Sequence, residues 1–118
     1  MEDIVLVVLD VGPDKLRAMN AIRLAESLVD RGGRVRLFLL DDGVFTAKRN
    51  QKPPEGLEGL NLAKKIEGLI QKNAEVVACG TCLLAKGINE GELIEGVLPG
   101  TMGDLARWTL ESTKALVF

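Results

Sequence analysis

Ile4-Val5-Leu6-Val7-Val8-Leu9 is a run of six aliphatic residues with no polar interruption. Six residues span about 20 Å as a strand. A strand that is apolar at every position, rather than at every second one, must be covered on both of its faces.

Pro13 suits the first turn of a helix, and Ala21, Leu24, Ala25 and Leu28 then recur at helical spacing until Gly32-Gly33 closes the segment. Val35 to Leu40 forms a second strand, ended by Asp41-Asp42-Gly43. Leu62, Ala63, Ile66, Leu69 and Ile70 mark a second helix that stops near Asn73. Glu75 to Ala78 is a short β-branched strand leading straight into Cys79. Thr101-Met102-Gly103-Asp104 has the form of a capping box, and Met102, Leu105, Ala106 and Thr109 follow at helical spacing. Lys114 to Phe118 is the expected last strand. Strands alternating with helices predict a parallel α/β sheet with helices on both faces. The stretch Gly43 to Gly59, with Pro53-Pro54 and the cations Lys48, Arg49 and Lys52, is long for a loop; it is expected to be functional or to hide a short helix at Val44 to Arg49.

Composition narrows the function. The 118 residues suit a single domain, 1–118, and 17 acidic against 15 basic side chains leave a formal charge of −2. That balance argues against nucleic acid as a partner. No apolar run approaches the ~20 residues of a membrane span, and the acidic start Met1-Glu2-Asp3 is unlike a signal peptide, so a cytoplasmic location is expected. The chain has no His, which removes Ser-His and Cys-His catalysis and His-ligated metal. No G-x-G-x-x-G follows the first strand, so no dinucleotide cofactor is expected, and no other cofactor is implied. The single Trp, Trp108, reads either as core or as a contact between subunits.

The two cysteines form one pair, Cys79-Gly80-Thr81-Cys82, between a strand and a short helical segment, Cys82 to Lys86, closed by Gly87. Ligands of an open parallel sheet collect beyond the carboxyl ends of its strands. Asp10 to Pro13, Asp41 to Gly43 and Cys79 to Cys82 are expected to converge there, with Lys52 and its neighbours as a candidate anion-binding lid. With Cys79 or Thr81 capping the turn, free amides at the helix start favour a thiolate. Cys79 is the expected nucleophile, being the less enclosed of the two, and Cys82 the resolving or supporting thiol. Lys86 adds positive charge there only if it folds back. The plain alternatives are that both cysteines are small buried apolar groups, or that Asp10, Asp41 and Asp42 only form turns. Two thiolates are half a zinc site, and no metal is expected within one chain.

Cys79-Gly-Thr-Cys-Leu-Leu-Ala-Lys-Gly-Ile88, Leu93-Ile-Glu-Gly-Val97, Ala106-Arg-Trp-Thr-Leu110 with Lys114-Ala-Leu-Val-Phe118, and Gln51-Lys-Pro with Glu55-Gly56 together resemble the DsrE/DsrF-like sulfur-relay family, most closely its YchN-like branch. The resemblance implies a three-layer α/β/α sandwich around a mainly parallel sheet of about five strands, assembled as a homo-oligomer, commonly a trimer or hexamer. It also implies a persulfide on a cysteine eight residues before the glycine that ends the next turn. Cys79 stands eight before Gly87. Three functions follow: a persulfide carrier or sulfurtransferase working between donor and acceptor proteins, an oligomeric binding or regulatory module with unreactive cysteines, or a dithiol redox protein cycling Cys79 and Cys82.

Overall fold

The computed structural model describes residues 3–118. Five strands, β1 (Ile4–Leu9), β2 (Arg34–Leu39), β3 (Glu75–Cys79), β4 (Val97–Gly100) and β5 (Lys114–Val117), form one sheet in the order β4-β3-β2-β1-β5, and every neighbouring pair is parallel. Its helices are α1 (Leu16–Asp30), α2 (Leu62–Gln71), α3 (Gly80–Ala85) and α4 (Met102–Glu111). The fold is the expected three-layer α/β/α sandwich.

The chain steps from β1 to β2 to β3 in one direction across the sheet, then returns from β4 at one edge to β5 at the other. Right-handed crossovers therefore put α1 and α2 on one face and α4 on the opposite face. α1 and α2 do pack against each other, and α1 lays Ala18, Ala21, Ile22 and Ala25 inward. On the other face, Arg36 and Phe38 of β2 point to α4, where Trp108 meets Phe38 edge-on with ring centroids 6.2 Å apart. Residues 5–9 of β1 are all buried, which is why the opening run carries no polar side chain. Trp108 is only 4% exposed, so of its two readings the core one holds.

Local chemistry sets most boundaries. Asn61 caps α2, its Oδ1 accepting the amide of Lys64 at 3.3 Å. Thr101 and Asp104 form the capping box of α4, each side chain accepting the other's amide, at 3.2 and 2.8 Å. α1, however, begins three residues after Pro13, which stands in a preceding turn closed by the Lys15 amide on the Gly12 carbonyl. The strand β4 has no counterpart in the sequence reading. It is a four-residue edge strand with Pro99 inside and Leu98 facing outward, so neither alternation nor a long apolar run announces it.

The long stretch after β2 is ordered rather than loose. Asp41–Ala47 is a 3-10 helix, starting and ending a little earlier than the helix expected at 44–49, and Glu58–Leu60 is another. Gly43 packs on the end of β1, where a Cβ would overlap the carbonyl oxygen of Leu9. Gln51 staples the turn that follows: its Nε2 donates to the carbonyls of Thr46 (2.8 Å) and Lys48 (3.2 Å), and its Oε1 accepts the Leu62 amide at 3.1 Å. Three carbonyls and amides that would otherwise lack partners are thereby satisfied, which gives Gln51 a structural task.

Candidate functional site

β3 ends at Cys79, and the chain turns directly into the short helix α3. Cys79 is the N-cap of that helix; its Sγ accepts the amide of Cys82 at 3.2 Å. Of the two candidate caps, Cys79 rather than Thr81 does the capping. Gly80 opens the helix beside β4, where an added Cβ would come within 3.3 Å of the Gly100 carbonyl. Gly87 ends the turn in the left-handed region, with φ +70.

The positions of the two thiols reverse one expectation. Cys79 is the more enclosed, 8% exposed, while Cys82 is only partly buried. As the cap, Cys79 folds its sulfur back under the first turn; Cys82, on the flank of that turn, looks toward the segment after β2. There its Sγ accepts the amide of Asp41 at 3.2 Å. Asp41 holds φ 50, a left-handed conformation uncommon outside glycine. Burial pushes the Cys82 thiol up, and the neighbouring Cys79 side chain and the charge of Asp41 push the same way; the Asp41 amide opposes them without prevailing. Cys82 therefore keeps its proton to higher pH than an ordinary thiol.

Lys86 does fold back, but onto carboxylates. Its Nζ lies 2.7 Å from Asp42 and 3.1 Å from Asp41, and these two acids raise its own pKa, Asp42 more than Asp41. The lysine latches the segment after β2 to α3, one helical turn beyond Cys82. The structure thus brings together Cys79, Gly80, Cys82, Asp41, Asp42 and Lys86. Thr81 is exposed on α3 and lines, with Gly80, Thr101 and Met102, an open cleft of about 550 Å³ between α3 and the start of α4.

Two expected members stand apart. Asp10 sits at the end of β1, separated from β3 by β2 and so about 10 Å, two strand spacings, from the end of the cysteine strand. Lys52 is exposed and does not line the cavity of about 460 Å³ that Lys48 and Arg49 share with Gly12 and Asp42. Arg49 is itself engaged, Nε donating to the Leu93 carbonyl at 2.7 Å. Among the described residues no three of His, Cys, Asp and Glu are grouped as metal ligands would be.

Comparison with known proteins gives the family. The sequence pattern of the DsrE/DsrF-like family matches residues 3–118. The chain belongs to the DsrE/DsrF-like family. Protein YchN of Escherichia coli K12 is 38% identical over 120 residues, covering the whole of both chains. A Methanopyrus kandleri protein, "Uncharacterized protein MK0008", is 40% identical over 117 residues, 98% of this chain and 94% of the relative. The crystal structure of the E. coli ychN protein superposes with a TM-score of 0.88 over the full length of both chains. A Methanobacterium thermoautotrophicum protein, MTH1491, matches at TM-score 0.75 with 16% identity over the full length of both, a likeness of fold. The DsrE/DsrF-like family is associated with sulfur relay in general.

Sequence reasoning missed the Asp41 amide. The signal available was weak: an aspartate at a strand end, a residue type that tolerates left-handed backbone, opening a segment whose Gly43 must pack close. No helix of the described residues is long and apolar enough to cross a membrane.

Proposed function

We propose that the chain is a sulfur carrier in which Cys79 takes a sulfane sulfur from a donor protein and passes it to an acceptor. The observation that carries this is the pairing at the start of α3. Cys79 Sγ receives the Cys82 amide, while Cys82 is the thiol held protonated by burial and its neighbours. Both sulfurs accept a backbone amide at 3.2 Å, so the amides do not separate them. The inequality lies in Cys82, whose thiol is pushed up chiefly by burial, and this leaves Cys79 as the one to attack. In the transfer, the Cys79 thiolate bonds to the outer sulfur of a donor persulfide. The donor's sulfur–sulfur bond breaks, and the donor leaves as a thiolate that takes up the proton Cys79 gave up. Family membership supports sulfur as the cargo.

The carrier works as a homo-oligomer, a trimer or hexamer, in the cytoplasm, where thiols stay reduced. Leu84 and Met102 are exposed and line one cleft between α3 and α4, and Leu98 and Leu110 are exposed on β4 and α4; a second copy would cover them. The cleft lined by Gly80 and Thr81, the two residues that follow Cys79, is where a partner would approach.

Incubation with inorganic polysulfide followed by intact mass measurement tests the reading. The chain gains the mass of one sulfur atom, the gain is lost in Cys79→Ala, and it is kept in Cys82→Ala. A gain that survives Cys79→Ala, or no gain in any variant, overturns it. Light scattering returns a multiple of 12.7 kDa; a strict monomer removes the oligomer from the proposal.

A further inference from the structure

The carrier reading gives Cys82 no task of its own, yet its surroundings are the more elaborate of the two. The Asp41 amide is directed at its sulfur from 3.2 Å, on a backbone held at φ 50. That backbone is fastened by Lys86, which grips both Asp41 and Asp42 from the C-cap of the short helix that carries Cys82. Across the turn, Cys79 Sγ is 3.2 Å from the Cys82 amide nitrogen. Both sulfurs thus belong to one turn, three residues apart, the spacing at which side chains of a helical turn are neighbours. A thiol that served only as packing would need neither an amide donor nor a latched segment to present it.

We infer that Cys82 discharges a persulfide held on Cys79, releasing hydrogen sulfide and closing a Cys79–Cys82 disulfide. The inference rests on the carrier reading for the persulfide itself. In the step, the Cys82 thiolate attacks Cys79 Sγ, the sulfur that caps its own turn. The bond between Cys79 Sγ and the outer sulfur breaks, and the outer sulfur leaves as HS⁻, which takes the proton that Cys82 gave up. The outer sulfur is reduced to sulfide by two electrons, and the two cysteine sulfurs are oxidised to the disulfide. No outside oxidant enters. Return to the dithiol takes one equivalent of a dithiol reductant, or two of a monothiol, which the reducing cytoplasm supplies by class.

The groups around Cys82 set the rate of this discharge. Burial, the Cys79 side chain and the Asp41 carboxylate hold the thiol protonated; the Asp41 amide acts the other way, and Lys86 neutralises Asp41 and Asp42. At neutral pH only a small fraction of Cys82 is thiolate, so a persulfide on Cys79 survives long enough to meet an acceptor. In the absence of an acceptor it ends as free sulfide. Below the thiol's own titration, each unit of pH raises the thiolate fraction, and the discharge rate with it, about tenfold.

The test loads wild type and Cys82→Ser with inorganic polysulfide, removes the excess, and follows sulfide release and intact mass without added reductant. Wild type releases one sulfide per chain and ends two hydrogens lighter than the reduced protein. Cys82→Ser keeps the extra sulfur, and Cys82→Ala serves if the serine variant does not fold. Release from wild type accelerates between pH 7 and pH 8 by about the tenfold expected of a protonated thiol. If wild type and the variants hold the sulfur equally long, the discharge is overturned and the carrier stands. If neither wild type nor variant takes up sulfur, both fall together.

Discussion

The two ends of the sheet use charge in opposite ways. At the amino end, where β2 and β3 begin, Arg36 is 6% exposed and bonds Glu111 at 2.8 Å and Glu75 at 3.4 Å, while its guanidinium stacks 5.5 Å from the centre of the Trp108 ring. Arg34 adds a second bond to Glu75 at 2.6 Å. The guanidinium of Arg36 is thus matched by carboxylates and an aromatic face, as a charge taken out of water must be. At the carboxyl end, Lys86 and the two aspartates are also paired, but the pairing is exposed and serves to hold a backbone amide on a sulfur. One region uses ion pairs to fix α4 on the sheet; the other uses them to present a reactive group. Burial separates the two roles. Where the charge is enclosed, its loss is a stability event, and where it is open, its loss is felt by the neighbouring thiol.

Gly43→Ala should strike hardest, because its Cβ meets backbone that cannot rotate away. We expect about 3 kcal/mol lost in a denaturant titration, together with altered thiol alkylation, since the segment carrying Asp41 must shift. Arg36→Leu should cost about 2 kcal/mol, less than a wholly buried pair because Glu75 and Glu111 are half-exposed and water can take them up. Alkylation of the folded variant at Cys79 and Cys82 should match wild type. A change there would mean that the two ends of the sheet are coupled.

The pH dependence sharpens the contrast further. Burial draws Glu75 up, but the hydrogen bond and charge of Arg34, with those of Arg36, outweigh it and hold the carboxyl below its ordinary range. A lowered folded-state pKa stabilises above the unfolded value and is lost as pH falls through the folded one, so the amino end weakens in acid. Cys82 is shifted up, chiefly by burial and then by Cys79, so its contribution is full below the ordinary thiol value and fades as pH rises through the raised one. Arg34→Leu, which removes the larger share of that lowering, should therefore flatten the acid limb of a stability curve, and Cys82→Ser the alkaline limb. The smallest effect on stability belongs to Asp41→Asn. Asparagine tolerates the left-handed backbone, keeps the amide on Cys82, and leaves Lys86 its bond to Asp42. Its melting temperature should hardly move. The pH midpoint of Cys82 alkylation should fall, because the carboxylate that raised it is gone; an unchanged midpoint would show that Asp41 charge does not reach the thiol.

How much of this was legible differs residue by residue. The capping box at Thr101 and Asp104 could be read directly, since three residues of spacing contain the whole interaction. The Cys79 cap is of the same local kind. The arginines at 34 and 36 carried an unused signal: a cation inside an otherwise apolar strand has to find an acid, and Glu75 at the start of the next strand was one candidate. Glu111, 75 residues further along, was not findable that way.

Sequence alone determined the alternation of strands and helices, the parallel sheet with layers on both faces, and the placing of a cysteine pair where β3 passes into a helix. Those features follow from periodicity and from contacts within one turn, which the order of residues states outright. Only the tertiary structure decided that β4 closes the edge, that Asp10 and Lys52 stand outside the thiol cluster, that Cys79 is the deeper sulfur, and that the Asp41 amide reaches Cys82. Each depends on which segments far apart in the chain become neighbours. That is set by the packing of whole layers, and no short stretch of residues encodes it.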